Sequence, residues 1–247
     1  MTQDNQGEEA LLKDIADTAD TNPHGLGRLF LHDERDQEHL MSARLMAAPV
    51  TVLPSYKYYT PGAQLDQGQT SKCVGYSWQD FLSCSPIRQG KDTNPETIYC
   101  GAQVNDPWPG DCTNPKYEGS TVRAGAKFLQ QQGYLSEYIW AYDVTTLATW
   151  VLGRGPAVLG TRWYNSMFHP DTHGHIHVDQ ASGLAGGHAY LCIGYNSKTR
   201  MFKFQNSWGI KWGAKGCFWM TSDDVGILLS QQGEACTATE IRKGVGA

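Results

Sequence analysis

The chain has 247 residues, of which 40% are hydrophobic and 18% are charged, and its formal net charge is -5 at pH 7. That length supports a sizeable core, and the charged fraction is too low for a disordered chain. The mild negative charge, without a Lys/Arg cluster, argues against a nucleic-acid partner. No stretch approaches the roughly 20 apolar residues that span a bilayer, so we expect no membrane partner.

Residues 1–50 are polar and charged, and they predict an extended lead-in or a short pro-segment along the surface, with partial disorder before Leu26 as the alternative. This lead-in holds a weak helical run at residues 9–16 and a charged run at residues 32–39. The acidic N-terminus is followed by no apolar segment with a small-residue cleavage site, so we expect a cytoplasmic or virion-associated protein. We expect no catalytic group in the lead-in.

Residues 51–247 form the predicted main domain, in which helices precede strands. Apolar spacing, caps and glycine stops predict helices from Cys73 onward and near 95–102, 120–132 and 145–152. Apolar runs predict strands at 156–163, 189–195, 201–205 and 216–220. This order indicates an α+β protein with a helical lobe over about 65–140, a β lobe over about 141–235 and the functional cleft between them.

Seven cysteines occur, at positions 73, 84, 100, 112, 192, 217 and 236. Because no export signal is found, free thiols are the default expectation. Cys100 and Cys112 flank a loop rich in proline, glycine and aspartate, and they are the first choice for a disulfide.

The stretch from Gln67 to Trp78 places a cysteine at the start of a buried helix. A glutamine-glycine turn leads to Cys73, after which Val74, Trp78 and Phe81 recur at roughly helical spacing. The first helical turn offers unpaired backbone N–H groups and the positive end of the helix dipole, both of which favour a thiolate. Cys73 is therefore a candidate nucleophile.

Two later stretches supply partners for this thiol. His188 stands at the mouth of an apolar strand directly after Gly187, which is a candidate supporting residue. Asn206 ends another strand and is followed by Ser207-Trp208-Gly209. A cysteine nucleophile, a histidine base and an asparagine that orients the imidazole form a complete catalytic set.

Together these stretches resemble the papain-like (C1) cysteine peptidases. The match in type and order covers the six-residue Gln67-to-Cys73 spacing, the His188 strand, and the Asn206 motif followed by Trp212-Gly213, within about residues 25–230. The resemblance implies a two-lobe fold, with the nucleophile helix in the helical lobe and an antiparallel, β-barrel-like second lobe. The charged run at residues 32–39 is similar to the segment that precedes this domain in some bacterial members, which indicates a bacterial or phage type.

The resemblance also implies a role for each residue of the set. Cys73 would attack a peptide carbonyl to form a thioester, and His188 would hold the thiolate and give its proton to the leaving amine. Asn206 would bind the imidazole, and Trp208 would shield that hydrogen bond from water. Gln67 and the backbone N–H of Cys73 would form the oxyanion hole.

The signature around the family nucleophile has cysteine, glycine, a small residue and an aromatic where this chain has Thr70, Ser71, Lys72 and Val74. A disulfide from position 70 is therefore impossible, which is consistent with a reducing compartment. Lys72 either adds a positive charge beside the thiolate or points to solvent. The valine puts the packing of the helix in doubt without removing a catalytic atom.

A histidine-rich run from His169 to His177 suggests a Zn or Ni site, since alternating histidines share one face of a strand. Pro170 and Gly174 interrupt that alternation, and the run is better explained as a surface hairpin. We expect neither a metal nor another cofactor.

The sequence thus predicts a cysteine endopeptidase that acts on polypeptide substrates. One alternative is a catalytically silent structural or interaction module with this fold, for example in a phage particle. A cell-wall peptide hydrolase is another. Subsite specificity and oligomeric state do not follow from the sequence.

Overall fold

The computed structural model describes residues 23–48, 52–108, 111–113 and 117–241. Its helices are α1 (Met41–Ala47), α2 (Cys73–Ser83), α3 (Pro95–Asn105), α4 (Val122–Gln131), α5 (Val144–Gly153) and α6 (Ser222–Ser230). Its strands are β1 (Tyr56–Tyr58), β2 (Leu135–Ala141), β3 (Ala157–Tyr164), β4 (Leu184–Asn196), β5 (Met201–Gln205), β6 (Cys217–Thr221) and β7 (Glu234–Ile241). Short 3-10 helices cover Glu34–Glu38, Gly90–Asp92, Asn165–Phe168 and Gln180–Ser182.

Local sequence explains where the main helices begin and end. The side chains of Asn94 and Thr121 cap α3 and α4 by accepting hydrogen bonds from backbone N–H groups in their first turns. Gly133, with a φ of 79°, ends the segment after α4 in a left-handed conformation that glycine adopts without strain. The helices predicted near 95–102, 120–132 and 145–152 are confirmed.

The strands form one seven-stranded antiparallel sheet in the order β2-β7-β3-β4-β5-β6, with β1 on β4. The four predicted strands correspond to β3, β4, β5 and β6. The sequence did not predict β1, β2 or β7, which are short or carry polar residues on both faces. The protein is α+β, and the sheet takes in β2, just before the predicted start of the β lobe near residue 141.

Helices α2, α3 and α4 pack together as the helical lobe, and α2 also packs against β4. That contact brings Cys73, the first residue of α2, to the sheet. Val74 is fully buried on the side of α2 that faces α4, so a valine fits this packing.

The lead-in enters the space between the lobes rather than following only the surface. Residues 24–33 are extended apart from local bends, and α1 follows the 3-10 helix at Glu34–Glu38. An isolated parallel bridge joins Arg28 to Ser120 of the helical lobe. The helical run predicted at residues 9–16 lies outside the described residues.

Cys100 and Cys112 form a disulfide with a Cα–Cα distance of 4.9 Å, whereas the other five cysteines are free. The default expectation of free thiols is therefore wrong for this pair and right for the others. In the part of the chain that the structure describes, no helix is long and apolar enough to cross a membrane.

Candidate active site

Cys73 and His188, which are 115 residues apart in the chain, lie on two elements that pack together, α2 and β4. Both side chains are fully buried. The backbone of Ala189, the residue directly after His188, lowers the pKa of Cys73 by hydrogen bonding. The structure therefore brings the predicted nucleophile to the strand that carries the predicted base.

His188 and Asn206 are joined by a hydrogen bond of 2.8 Å between Nε2 of the ring and Oδ1 of the amide. The same amide oxygen accepts a hydrogen bond from the backbone N–H of Ser207, which fixes the orientation of the amide. The other ring nitrogen, Nδ1, has no hydrogen-bond partner among the described residues.

An aromatic cluster surrounds this histidine. Trp208 stacks on the ring of His188 with a centroid distance of 4.5 Å, which fits the predicted shielding role. Trp163, which the sequence predicted only as a strand residue, packs edge-on to the same ring at 4.9 Å. Trp212 lies in the core, and its indole N–H donates to the Phe168 carbonyl.

Burial keeps the two reacting groups uncharged in this form of the protein. It raises the pKa of Cys73 to about 12, against the effect of hydrogen bonds from Ala189, Gly27 and Val74. Burial also lowers the pKa of His188 to about 3, although the hydrogen bond with Asn206 acts in the opposite direction. A thiolate–imidazolium pair is favoured only once water or substrate replaces the groups that cover the thiol.

Gln67 is oriented by a residue whose role the sequence analysis missed. Its side-chain oxygen accepts a 2.6 Å hydrogen bond from the Ser207 hydroxyl. Its amide nitrogen is thereby directed at the cleft, where it donates to the carbonyls of Gly25 and Thr70 at 3.1 and 2.7 Å. Ser207 was visible in the Asn206 motif, but only the fold shows that it faces Gln67.

The lead-in occupies the position in which a reacting carbonyl would be expected. The Gly25 carbonyl accepts hydrogen bonds from Gln67 and from the indole N–H of Trp208, at 3.1 and 3.3 Å. His24 stacks on Trp208, with a centroid distance of 4.6 Å and ring planes 11° apart. His24 and Gly25 of the lead-in therefore lie against Trp208 and Gln67.

The next residues of the lead-in run across the thiol. The N–H groups of Gly27 and Arg28 both donate to the carbonyl of Gly187, the predicted supporting residue. The Gly27 carbonyl accepts from Ser120 on the opposite lobe, so the segment is fixed to both walls. The Gly27 backbone also lowers the pKa of Cys73, so this segment lies close to the thiol.

Two glycines make this close approach possible. A Cβ on Gly25 would lie 2.1 Å from the Thr70 carbonyl oxygen, and one on Gly27 would lie 2.1 Å from the Ser71 carbonyl oxygen. Both distances are far inside van der Waals contact. A side chain at either position would force the segment away from the nucleophile loop.

Other predicted features lie outside this centre. The Lys72 ammonium pairs with Glu96 at 2.5 Å, so it is held away from the thiol. In the histidine-rich run, His175 pairs with Asp171 and His177 pairs with Asp224.

A helical wall carrying a cysteine, a sheet carrying a histidine–asparagine pair and a cleft between them define a two-lobed thiol hydrolase. A sequence profile described as papain family cysteine protease matches residues 62–236. The chain therefore belongs to the papain family of cysteine proteases, and it is a cysteine peptidase that acts on peptide substrates.

Solved structures share this fold. Xylellain, a cysteine protease from Xylella fastidiosa, is similar with 20% identity and a TM-score of 0.68, over 90% of this chain and 98% of that chain. Digestive procathepsin L 3 of the Tenebrio molitor larval midgut has 15% identity and a TM-score of 0.57, over 94% and 79% of the two chains. ProCathepsin B S9 from Trypanosoma congolense has 12% identity and a TM-score of 0.56, over 91% of this chain and 88% of that chain.

Proposed function

We propose that this peptidase is an endopeptidase in which Cys73 is the nucleophile, His188 the acid and base, Asn206 the group that orients the imidazole, and Gln67 an oxyanion donor. The observation that carries the proposal is the 2.8 Å bond between His188 Nε2 and Asn206, because it leaves the other ring nitrogen, Nδ1, without a hydrogen-bond partner among the described residues. Trp208 and Gly187 support the site by covering the histidine and by offering a backbone acceptor to a bound chain.

In the first half of the reaction, Nδ1 of His188 takes the thiol proton, and the Cys73 sulfur adds to the substrate carbonyl carbon. The oxygen becomes negatively charged and accepts a hydrogen bond from the Gln67 amide. Loss of one such donor typically costs about 3 to 4 kcal/mol in the transition state. The C–N bond then breaks, the imidazolium gives its proton to the amine, and a thioester remains.

In the second half, water adds to the thioester carbonyl while Nδ1 of His188 takes one of its protons. The tetrahedral oxygen again accepts from Gln67. The C–S bond breaks, the acid product leaves, and the proton returns to the Cys73 sulfur. Asn206 keeps the ring in one orientation throughout, so the same nitrogen acts as base and as acid.

Residues 24–28 hold this centre in a latent form. The N–H groups of Gly27 and Arg28 bind the Gly187 carbonyl, and the Gly27 backbone lies close enough to the thiol to lower the pKa of Cys73, so the segment covers the thiol. It also occupies the Gln67 amide through the Gly25 carbonyl. Two of the similar structures are named as procathepsins, which agrees with a covering segment.

The test uses the full chain and two glycine substitutions. Gly25→Ala places a Cβ against Thr70, whereas Gly155→Ala is the matched control because a Cβ there meets nothing within 4 Å. Overpacking of this kind costs about 1 to 3 kcal/mol, so we expect Gly25→Ala to speed iodoacetamide labelling of Cys73 about tenfold or more. Release of peptides from casein should increase in parallel and should disappear with Cys73→Ala.

Each outcome separates the functions that the sequence left open. Fast labelling with cleavage supports the latent endopeptidase. Fast labelling without cleavage of casein, but with cleavage of cell-wall peptides, favours the cell-wall hydrolase. A thiol that stays inert in Gly25→Ala favours the silent module.

The cytoplasmic location stays a prediction, and the Cys100–Cys112 disulfide speaks against it, because such bonds persist mainly in oxidising surroundings.

A further inference from the structure

A buried carboxyl group lies on α2, the helix that begins at Cys73. Asp80 stands seven residues after Cys73, about two helical turns further along, and is 1% exposed. Its Oδ1 accepts a hydrogen bond of 3.2 Å from the side-chain amide of Gln205, the last residue of β5. Because Gln205 directly precedes Asn206, this contact joins the helix of the nucleophile to the strand end that carries the orienting amide.

The surroundings of Asp80 favour the neutral acid. Burial raises the pKa of Asp80 well above its usual range. The titratable groups that act on it are the thiols of Cys84, at the end of α2, and Cys217 on β6, and burial raises the pKa of both. Among the described residues no cation pairs with this carboxyl group, and a buried carboxylate without such a partner is strongly unfavourable. The carboxyl group therefore keeps its proton.

This proton has an acceptor within the same amide. Gln205 Oε1 is buried and has no hydrogen-bond partner among the described residues, although Nε2 of that amide donates to Asp80. A neutral carboxyl group offers one O–H donor and one carbonyl acceptor, and a side-chain amide offers the complementary pair. Donation from the Asp80 O–H to Oε1 closes a ring of two hydrogen bonds and satisfies the amide oxygen.

We propose that Asp80 is a positioning residue for the catalytic centre: as a neutral acid it forms this ring with Gln205 and fixes the end of β5 against α2. The inference rests on the proposed function, in which Asn206 orients the imidazole through its 2.8 Å bond to His188 Nε2. Asp80 touches neither the substrate nor a reacting atom. It acts by keeping the strand end that carries Asn206 at a constant distance from the helix that carries the nucleophile.

The first test measures kcat and KM for an internally quenched casein peptide in the opened enzyme, the full chain carrying Gly25→Ala. Adding Asp80→Asn keeps one donor and one acceptor toward Gln205, so we expect kcat to stay within about twofold. Adding Asp80→Leu removes both hydrogen bonds and leaves the amide unpaired, and we expect kcat to fall about 10- to 100-fold with little change in KM. The control adds Asp223→Leu, which replaces an exposed carboxylate paired with Arg200 and should leave kcat unchanged.

The second test measures urea unfolding of the natural chain and of Asp80→Asn as a function of pH. A carboxyl group whose pKa is raised by folding stabilises the folded state below its unfolded pKa of about 4, and this contribution is lost as pH rises toward the folded pKa. The unfolding constant of the natural chain, divided by that of Asp80→Asn, should therefore rise about tenfold per pH unit above pH 5 until the folded pKa is reached. The same ratio for the exposed Asp223→Asn should stay flat.

The two tests separate this inference from the proposed function. If the Gly25→Ala chain cleaves peptide but the Asp80→Asn ratio is flat with pH, the carboxyl group is ionised and the inference alone is overturned. A kcat that is unchanged in Asp80→Leu, or that falls as far in Asp80→Asn as in Asp80→Leu, also overturns it. If the Gly25→Ala chain cleaves nothing, the positioning role falls with the proposed function. The Asp80→Asn measurements stay decisive even if Asp80→Leu does not fold.

Discussion

The aromatic wall around His188 and the lead-in that lies over the cleft are held by different forces. Around His188 the wall is a dry aromatic cluster in which Trp163 and Phe218 are fully buried. The lead-in buries the apolar side chains of Leu29 and Met41, but its glycines are held by backbone hydrogen bonds and residues 33–36 by ion pairs, and a cavity of about 430 Å³ separates part of it from the helical wall. Charged residues line that cavity, including Asp33, Arg35 and Asp36.

This difference indicates that the lead-in can leave while the wall stays folded. Apolar burial in the cluster is lost only on global unfolding, whereas polar contacts of the lead-in can be exchanged for water locally. A latent enzyme needs this separation, because activation must open the cleft without disturbing the spacing of Cys73, His188 and Asn206.

The largest effect on stability is expected when an aromatic ring is removed from the wall. Trp163→Ala deletes a fully buried side chain that contacts His188 and Trp208, and we expect a loss of about 3 to 5 kcal/mol in the free energy of unfolding. Urea denaturation measures this loss. Trp219→Ala, at a partly exposed site beside Tyr58, is the control and should cost less. Equal losses would contradict a special role for the cluster.

The second prediction loosens the lead-in alone. Arg123 contacts Asp33 at 3.2 Å and forms a closer ion pair with Asp36, which is 4% exposed. Arg123→Gln should weaken attachment of the lead-in by about 2 to 3 kcal/mol, below the value for a fully buried pair, because Asp33 is partly exposed.

The readout is the rate of iodoacetamide labelling of Cys73, compared with the urea midpoint. We expect labelling to accelerate about 30- to 100-fold without a comparable loss of global stability. Arg35→Gln, which removes a largely exposed partner of Asp33, should have a smaller effect. If the urea midpoint falls as far as the labelling rate rises, the lead-in is part of the folding core and the comparison fails.

The third prediction concerns Ser207, which joins the two regions through Gln67. Ser207→Ala removes the hydroxyl that orients the Gln67 amide, so we expect kcat/KM in the opened enzyme to fall about tenfold, or about 1.4 kcal/mol. A double-mutant cycle with Gln67→Ala tests the mechanism, since Ser207→Ala should add little once the amide is gone. Ser230→Ala, on the surface of α6, should leave kcat/KM unchanged. Additive losses in the cycle would argue against an orienting role.

The smallest expected effect depends on pH. Burial raises the pKa of Asp106 to about 6, and its carboxylate accepts a hydrogen bond from Ser120, the residue whose backbone holds the lead-in. A carboxyl whose pKa is raised by folding stabilises the folded state below its unfolded value of about 4, and this contribution is lost as pH rises through 6.

Asp106→Asn removes the loss of unfolding free energy that Asp106 causes as pH rises through 6. Because Asp106 is only partly buried, we expect the variant to gain about 1 kcal/mol relative to the natural chain between pH 4 and pH 7. Urea unfolding at the two pH values measures the gain, with the exposed Asp223→Asn as control. A difference that stays constant with pH, or that reverses, contradicts this assignment.

Much of the site was accessible from the sequence because its chemistry lies in short motifs. Helical spacing placed Cys73 at the start of a buried helix, which α2 confirms, whereas His188 was expected at the mouth of its strand and lies inside β4, which begins at Leu184. Predicted caps such as Thr121 need only neighbouring residues, so they too follow from local sequence. By contrast, β2 and β7 gain their strand structure mainly from each other, a pairing between segments about 100 residues apart that local pattern does not encode.

The order and type of the candidate catalytic residues follow from the sequence, since residue chemistry and local periodicity are written along the chain. What covers these residues follows only from the fold. Gly25 and Gly27 pack so closely that a Cβ on either would lie 2.1 Å from a carbonyl oxygen, and Arg28 binds Glu234. Both contacts depend on a segment that crosses between two lobes. Burial then raises the pKa of Cys73 and sets a carboxylate against an arginine 206 residues away, and neither effect exists until the lobes close around the segment.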